Sequence, residues 1–167
     1  WMEKYIHSPS YKKQEKFWLK IFENYQLIQH LKQKSNSTFE GDSIEFSFSK
    51  DLNKKIRETT KEWGISIYSF LLSMYAQLIH KEHNLYDFII GTPVSGRTNP
   101  RFIKTIGMFI NTLPIRVKIN DSENYEQYSQ RMNSNIRKML ENQDYQFDHL
   151  VEQLKKINPQ LPRLEFE

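Results

Sequence analysis

The sequence predicts an α+β fold in which helices pack on a mixed β-sheet. Helix-type spacing of apolar residues occupies both ends of the chain, whereas strand-type alternation lies between them. The clearest alternation runs from residue 113 to residue 119, where every second side chain is apolar: Leu113, Ile115, Val117 and Ile119. Helices and strands do not alternate strictly along the chain, so repeated βαβ units are not expected.

Composition limits the classes of protein to which the chain can belong. Its 167 residues are 38% hydrophobic and 14% aromatic, which is enough for a domain with a buried core. There is no cysteine, so disulfides, thiolate chemistry and cysteine-bound zinc are excluded. The net charge of +4 comes from lysines scattered among glutamates, which does not favour a nucleic-acid interface. No apolar run would span a membrane and no signal pattern is visible, so a cytoplasmic location is expected.

The first third of the chain is predicted to contain a helix, a loop and a strand. Aromatic residues recur along one side from Tyr11 to Leu31, which predicts a helix that faces a core. Residues 32–42 are mostly polar, which is typical of a surface loop. The run Ile44–Phe48 alternates apolar and polar side chains and predicts a strand with one solvated face.

Two helices follow, each marked by a capping residue. Ser49 is placed to cap the first helix, and Gly64 is placed to end it. Ser66 is placed to cap the second helix, which runs from Ile67 to about Lys81. Apolar residues surround most of this second helix, so it is predicted to be buried on all sides.

A strand–turn–strand unit occupies the centre of the chain. Phe88–Ile90 predicts a strand that ends at Gly91, and Met108–Ile119 predicts a second strand with one buried face. Turn-forming residues fill positions 95–100 between the two runs. Pro114 has no N–H to donate, so the second strand is expected at a sheet edge or with a bulge there.

Asn111 and Thr112 are polar residues inside this second apolar run. An unpaired buried amide costs about 1–3 kcal/mol, so such a group is rarely left without a partner. Specific hydrogen-bond partners are therefore predicted for both residues.

Two further helices are predicted after the centre. The first begins at Asp121 and Ser122 and ends near Glu141, and residues 142–146 form a polar connection. The second is a shorter amphipathic helix over 147–157, and prolines follow it. The last residues, 161–167, suit an extended segment.

Three segments of the chain together resemble the condensation domains of nonribosomal peptide synthetases. Residues 91–97, G-T-P-V-S-G-R, resemble the family's G-x-P-x-x-x-R segment. Residues 106–116, I-G-M-F-I-N-T-L-P-I-R, resemble its I-G-x-F-V-N-T-x-x-x-R motif. Residues 142–148, N-Q-D-Y-Q-F-D, are similar to its H-Q-D-Y-P-F-E motif. The resemblance covers almost the whole chain, and residues 1–167 are interpreted as one unit that corresponds to about the second lobe of a full domain.

The resemblance implies the C-terminal lobe of a chloramphenicol-acetyltransferase-like fold. Condensation domains join two thioesters held on phosphopantetheine arms of carrier proteins, and an amide forms. The expected partners are therefore peptidyl or aminoacyl carrier proteins and an N-terminal lobe, and no cofactor is expected to bind directly. The family's H-H-x-x-x-D-G motif, whose second histidine positions or deprotonates the amine, is absent from this sequence. No catalytic residue is therefore predicted here, and the isolated lobe is expected to be inactive and prone to self-association.

The same resemblance assigns site residues. Those expected at the lobe junction or substrate tunnel are Ser95, Gly96, Arg97, Asn111, Thr112 and Arg116. Further motif positions are Gly107, Phe109, Gln143, Asp144 and Phe147. Either Arg116 or Arg97 is expected to pair with the aspartate of the missing motif, and Arg116 is preferred because its motif match is tighter.

Other functions remain open at this point. An epimerisation domain is the nearest relative class, but its corresponding motif lacks the F-x-N-T element that residues 109–112 supply. Heterocyclisation domains differ in the N-terminal lobe, and a non-catalytic carrier-binding module would keep the same fold. His80 and His83 form an H-x-x-H pair without a third ligand nearby, so no metal site is predicted. Ser95 lies outside any G-x-S-x-G elbow, and Gly91 and Gly96 do not form a phosphate loop.

Overall fold

The computed structural model describes residues 2–25 and 41–159. Helices and strands are mixed along this part of the chain, as the α+β prediction requires. In chain order they are α1 (Met2–Tyr5), α2 (Pro9–Ile21), α3 (Lys50–Glu62), α4 (Ile67–His83), β1 (Asp87–Val94), β2 (Asn111–Lys118), α5 (Tyr125–Glu141) and α6 (Phe147–Ile157), with a short 3-10 turn at Pro100–Phe102. The predicted loop at 32–42 and the extended segment at 161–167 fall largely or wholly outside the described residues.

Local capping signals are confirmed for α3 and α4. The hydroxyl of Ser49 accepts from the amide of Leu52 at 3.2 Å, and that of Ser66 accepts from the amide of Ser69 at 2.9 Å. Gly64 takes a φ of 66° just after α3, where a left-handed residue ends the helix. The last helix, α6, also lies over the predicted residues 147–157.

The predicted bounds of α2 and α5 are wrong. The prediction for the first helix ran from Tyr11 to Leu31, but α2 ends at Ile21 and Asn24 then takes a φ of 57°. Helix α5 begins at Tyr125 rather than at Asp121, because Asn124 and Gln127 form a capping box at that point. In this box each side chain accepts from the other residue's backbone amide, which fixes the first turn.

The two strands form an antiparallel pair, so the described sheet is antiparallel rather than mixed. Gly91 pairs with Pro114, and β1 continues past its predicted end to Val94. At the other side of the hairpin, β2 begins at Asn111 rather than at Met108, which is 90% exposed in the connecting loop. The unbroken register leaves Pro114 at a sheet edge without a bulge, which is one of the two predicted settings.

The predicted strand over Ile44–Phe48 is wrong. These residues form no regular structure, and Ile44 and Phe46 are 90% and 78% exposed. Alternation of apolar side chains becomes a strand only when the backbone finds an edge to pair with. No strand among the described residues pairs with this segment.

The core lies between β2 and the helices α5 and α6, which both contact it, while α2 packs on α6. Its members are large apolar side chains that are almost fully removed from water, each of which contributes about 1.5–3 kcal/mol relative to an exposed position. They include Trp18, Leu113, Ile115, Val117, Tyr128, Met132, Met139 and Leu150. The indole N–H of Trp18 donates to the carbonyl of Asn142 at 2.8 Å, which joins α2 to the end of α5.

Both faces of β2 are buried, so the prediction of one wet face is wrong. Pro114 is fully buried, and Arg116 is only 7% exposed. The side chain of Arg116 is covered because the end of α2 lies against it, at Ile21 and Glu23.

Contrary to the prediction from its apolar composition, helix α4 is not buried on all sides. It packs on α5, and its buried positions include small side chains: Ser69, Ser73 and Ala76. Its bulkier residues Met74 and Leu78 are 50% and 54% exposed. Despite this apolar surface, none of the described helices is long and apolar enough to cross a membrane.

Candidate functional site

Asn111 begins β2, and only 6% of its surface is exposed. Its Nδ2 donates to the carbonyl oxygens of Gln143 and Tyr145, both at 2.9 Å. Its Oδ1 accepts from the amides of Thr112 at 3.0 Å and Phe147 at 3.2 Å. These four bonds use two donor hydrogens and two acceptor positions, which is the usual full capacity of the side chain.

The partners predicted for Asn111 are therefore found. Two of them lie in the connection between α5 and α6, residues 142–146, and the others are Phe147 at the start of α6 and the neighbouring Thr112. This connection carries most of the third motif, which continues to residue 148. Thr112 is half-buried opposite Pro93, and its amide is one of the Asn111 partners. The structure thus joins two motifs that are about thirty residues apart in sequence.

The junction loop, residues 95–110, connects β1 to β2 and starts at an exposed serine. The hydroxyl of Ser95 accepts from the amide of Arg97 at 3.4 Å. Gly96 takes a φ of 61°, and a Cβ there would lie 1.7 Å from the carbonyl oxygen of Phe109. Only glycine fits this close approach of two backbone segments.

Arg97 organises the interior of the junction loop. Its Nη1 donates to the carbonyls of Phe102 and Thr105, and its Nη2 donates to the carbonyl of Gly107 at 3.0 Å. The guanidinium also lies 4.3 Å from the ring centroid of Phe109, a cation–π contact. In this structure Arg97 thus stabilises its own loop, whereas the resemblance gave it as a possible partner for an aspartate outside the chain.

Asp144 connects the junction loop to other elements. Its Oδ1 accepts from the hydroxyl of Thr98 at 2.7 Å, and its Oδ2 accepts from the hydroxyl of Tyr5 at 3.3 Å. Gln143, its neighbour, donates from Nε2 to the carbonyl of Leu140 at 2.8 Å. The connection 142–146 therefore contacts α1, the junction loop and β2.

Arg116 pairs with Asp87, a partner that the sequence pattern did not indicate. Its Nε and Nη2 donate to the two carboxylate oxygens of Asp87 at 2.8 Å and 2.6 Å. Its Nη1 donates to the carbonyls of Ile21 at 2.6 Å and Glu23 at 3.1 Å. Arg116 thus forms an ion pair within this chain, which is a different pair from the one that the resemblance implied with the aspartate of the H-H-x-x-x-D-G motif.

A cluster of buried polar groups that the sequence pattern did not indicate joins α2 to α6. The amide of Tyr145 donates to Oε1 of Gln14 at 3.0 Å, and the amide of Gln146 donates to the hydroxyl of Tyr11 at 3.2 Å. The hydroxyl of Tyr11 also lies 2.5 Å from Nδ1 of His149. The sequence placed Tyr11 at the start of the first predicted helix, and nothing in the helical spacing indicated these polar contacts.

Burial keeps the tyrosines of this region protonated. It raises the pKa of Tyr25 to about 12, with a smaller contribution from the charge of Asp87, while Arg116 opposes the rise. Burial likewise raises the pKa of Tyr145, and the carboxylate of Glu15 adds to the effect. These phenols therefore act as neutral hydrogen-bonding groups at physiological pH rather than as bases.

A metal centre is not found among residues 2–25 and 41–159, where no group of three or more metal-ligating side chains comes together. His80, one half of the H-x-x-H pair, instead has Nδ1 at 2.8 Å from the carbonyl of Leu85.

A family model of the condensation domain matches residues 1–162, nearly the whole chain. The chain belongs to the condensation domain family.

The curated relatives are large synthetases, of which this condensation-domain chain spans a small part. Bacitracin synthase 2 of Bacillus licheniformis is 35% identical over 147 residues, which is 86% of this chain and 6% of that protein. Tyrocidine synthase 3 of Brevibacillus parabrevis is 32% identical over 158 residues, which is 92% of this chain and 2% of that protein.

Solved condensation domains share the fold. The condensation enzyme VibH superposes with a TM-score of 0.73 at 16% identity, over 97% of this chain and 37% of its own. A four-domain nonribosomal peptide synthetase bound to AMP and glycine superposes with a TM-score of 0.76 at 24% identity, over 84% of this chain and 11% of its own. The condensation-domain chain therefore has the chloramphenicol-acetyltransferase-like fold, and it spans about a third of the solved single domains.

The three condensation-domain motifs meet in space around Asn111 and Asp144. The residue types at these positions were visible in the sequence, but their partners were not. Asp87 was not predicted as a site residue, although the pairing of the two strands contains a signal for it. In the strand register it lies two residues from the position opposite Arg116, a diagonal neighbour that long side chains reach.

We expect Asn111→Asp to destabilise the folded condensation-domain chain by about 2–4 kcal/mol. A carboxylate cannot donate to the two carbonyls that the Asn111 amide meets, and its charge would be buried against them. Urea unfolding measures the change.

The matched control is Asn53→Asp on the exposed side of α3. The side-chain oxygen of Asn53 accepts from Nε of Arg57 at 3.1 Å, and a carboxylate can accept the same bond. The control should therefore lower the unfolding free energy by less than about 0.5 kcal/mol. Equal losses at both positions would contradict the assignment of Asn111.

A second prediction concerns the ion pair on the other face of β2. Arg116→Ala leaves the carboxylate of Asp87 and two carbonyls without their donor, and it should cost about 3 kcal/mol of unfolding free energy. Lys118→Ala, two residues along the same strand and exposed, should cost less than about 1 kcal/mol. A small cost at Arg116 would show that solvent replaces its contacts readily.

Proposed function

We propose that this chain is the C-terminal lobe of a nonribosomal peptide synthetase condensation domain that forms amide bonds between carrier-bound thioesters. The observation that carries the proposal is the meeting of the three family motifs at Asn111, which pairs with Val94 of β1 and binds the connection 142–146 and the adjoining Phe147 through three side-chain bonds. The synthetase relatives and the solved condensation domains support the same assignment.

In the proposed reaction, the amine of an acceptor substrate attacks the thioester carbonyl of a donor. The C–N bond forms, the C–S bond breaks, and the phosphopantetheine thiol of the donor carrier protein leaves with a proton. A histidine of the H-H-x-x-x-D-G motif in the N-terminal lobe would position the amine or take its proton. This lobe contributes no catalytic residue and supplies half of the tunnel in which the two arms meet.

The junction loop is the part of the lobe that we assign to the contact with the N-terminal lobe. Arg97 fixes the loop from within, so its shape does not depend on a partner. Its exposed residues include large apolar side chains, and Ile103, Ile106 and Met108 are 66%, 100% and 90% exposed. Rigid exposed apolar side chains of this kind are typical of a surface that another protein segment covers.

The proposed partners are peptidyl or aminoacyl carrier proteins and the N-terminal lobe, and the proposed location is the cytoplasm. Phosphopantetheine is carried by those proteins, and no directly bound cofactor is part of the proposal. The F-I-N-T sequence at residues 109–112 favours condensation over epimerisation.

The first functional prediction is that the lobe alone forms no amide. Two aminoacylated carrier proteins are incubated with the lobe, with a separately produced N-terminal lobe, and with both together. Product should appear only when both lobes are present, since the histidine motif and half of the tunnel come from the other lobe. Product from this lobe alone would overturn the proposed division of roles, and no product from an assembled pair would favour a non-catalytic carrier-binding module.

The second prediction is that the isolated lobe self-associates through the exposed face of α4. Sedimentation equilibrium should show dimers or larger species as the concentration rises, because Met74, Tyr75 and Leu78 leave apolar surface uncovered. Leu78→Glu should weaken the association at least about tenfold, since a charge would then be buried in the contact. The matched control is Ile157→Glu, at the exposed end of α6, which should have little effect. A monomer at all concentrations would contradict the prediction.

A further inference from the structure

The internal shape of the junction loop and its orientation relative to the rest of the lobe are fixed by different contacts. The bonds of Arg97 end on carbonyls of the same loop, at residues 102, 105 and 107. Such bonds define the shape of a loop without defining where it points. A fixed direction needs a bond between the loop and another element.

The hydroxyl of Thr98 supplies such a bond by donating to Oδ1 of Asp144 at 2.7 Å. Asp144 is itself well placed to hold a loop, because Asn111 binds the carbonyls of Gln143 and Tyr145 on either side of it. The second carboxylate oxygen accepts from Tyr5 of α1. Two hydroxyl donors on one carboxylate give charge-assisted bonds, which are stronger than bonds between neutral groups.

We propose that Asp144 is a positioning residue that fixes the direction of the junction loop by holding Thr98. The consequence for amide formation rests on the proposed function, because the loop's exposed apolar side chains are there assigned to the contact with the N-terminal lobe. The hold itself is a property of this chain and requires no substrate. Asp144 touches no reacting atom in this assignment and acts through the loop.

The test of the hold uses trypsin, because Arg101 and Lys104 lie in the junction loop. Thr98→Val removes the hydroxyl donor and keeps nearly the same shape at an exposed position. Cleavage after these two residues in the folded chain should become about tenfold faster, the effect of losing one bond to a charged group. The control is Thr105→Val, whose hydroxyl donates at 3.3 Å to a carbonyl of the same loop, and its cleavage rate should stay within about twofold.

A double-mutant cycle shows whether Thr98 and Asp144 act through each other. Asp144→Ala should speed cleavage at least as much as Thr98→Val, and the double variant should be cleaved no faster than Asp144→Ala. Circular dichroism verifies that each variant retains its helices. Equal cleavage of Thr98→Val and the Thr105→Val control overturns the proposal, and so does a double variant whose effect is the product of the two single effects.

The same variants in the two-lobe domain test the consequence for the reaction. We expect Thr98→Val to lower kcat about fivefold to tenfold and to leave the KM for the carrier proteins unchanged, because a displaced loop alters the geometry in which the bound substrates react and not the surfaces that bind the carrier proteins. A purely structural role would lower the midpoint of unfolding without lowering kcat at an unchanged KM. An unchanged kcat overturns the positioning role. If the unaltered two-lobe domain forms no amide, the proposed function fails, and the cleavage rates alone decide whether Asp144 holds the loop.

Discussion

The four hydrogen bonds of the Asn111 side chain are the constraint on which the rest of this structure depends. A buried primary amide is tolerated only when its donors and acceptors are matched, and here the matching groups are backbone atoms, most of them in and beside a connection between two helices. Strand β2 and the connection 142–146 are therefore held at one separation and one angle. The position of Asp144, and through it that of the junction loop, follows from this arrangement.

Strand β2 uses its two faces for two different anchors. Residues five apart lie on opposite faces of a strand, so Asn111 faces the connection before α6 while Arg116 faces the end of α2. The apolar residues between them fill the core beneath α5 and α6. Each face of the strand thus carries a polar residue that is hydrogen-bonded to a neighbouring element. Neither face is therefore left in water, although apolar side chains alternate along the strand.

Local signals in the sequence predicted the structure well, and signals that depend on distant partners predicted it poorly. Ser49 and Ser66 cap their helices through bonds that span three residues, so their effect is visible in the sequence. Whether Ile44–Phe48 becomes a strand, and whether α4 is covered, depends on which surfaces lie nearby, and alternation or composition alone does not contain that information. The need of Asn111 for partners was predictable, whereas the connection that meets it was not. For Arg116 a carboxylate partner was expected from outside this chain, and the pairing with Asp87 depends on the register of β1 against β2.

Native-state hydrogen exchange at the amides of Thr112 and Phe147 tests most directly whether Asn111 holds β2 and the connection as one unit. Both amides donate to the same oxygen of Asn111, although they belong to different elements. We expect the two amides to open with the same free energy, close to that of the core amides of β2. Exchange of the Phe147 amide at the rate of an exposed segment such as residues 41–49, while the Thr112 amide remained protected, would contradict this role of Asn111.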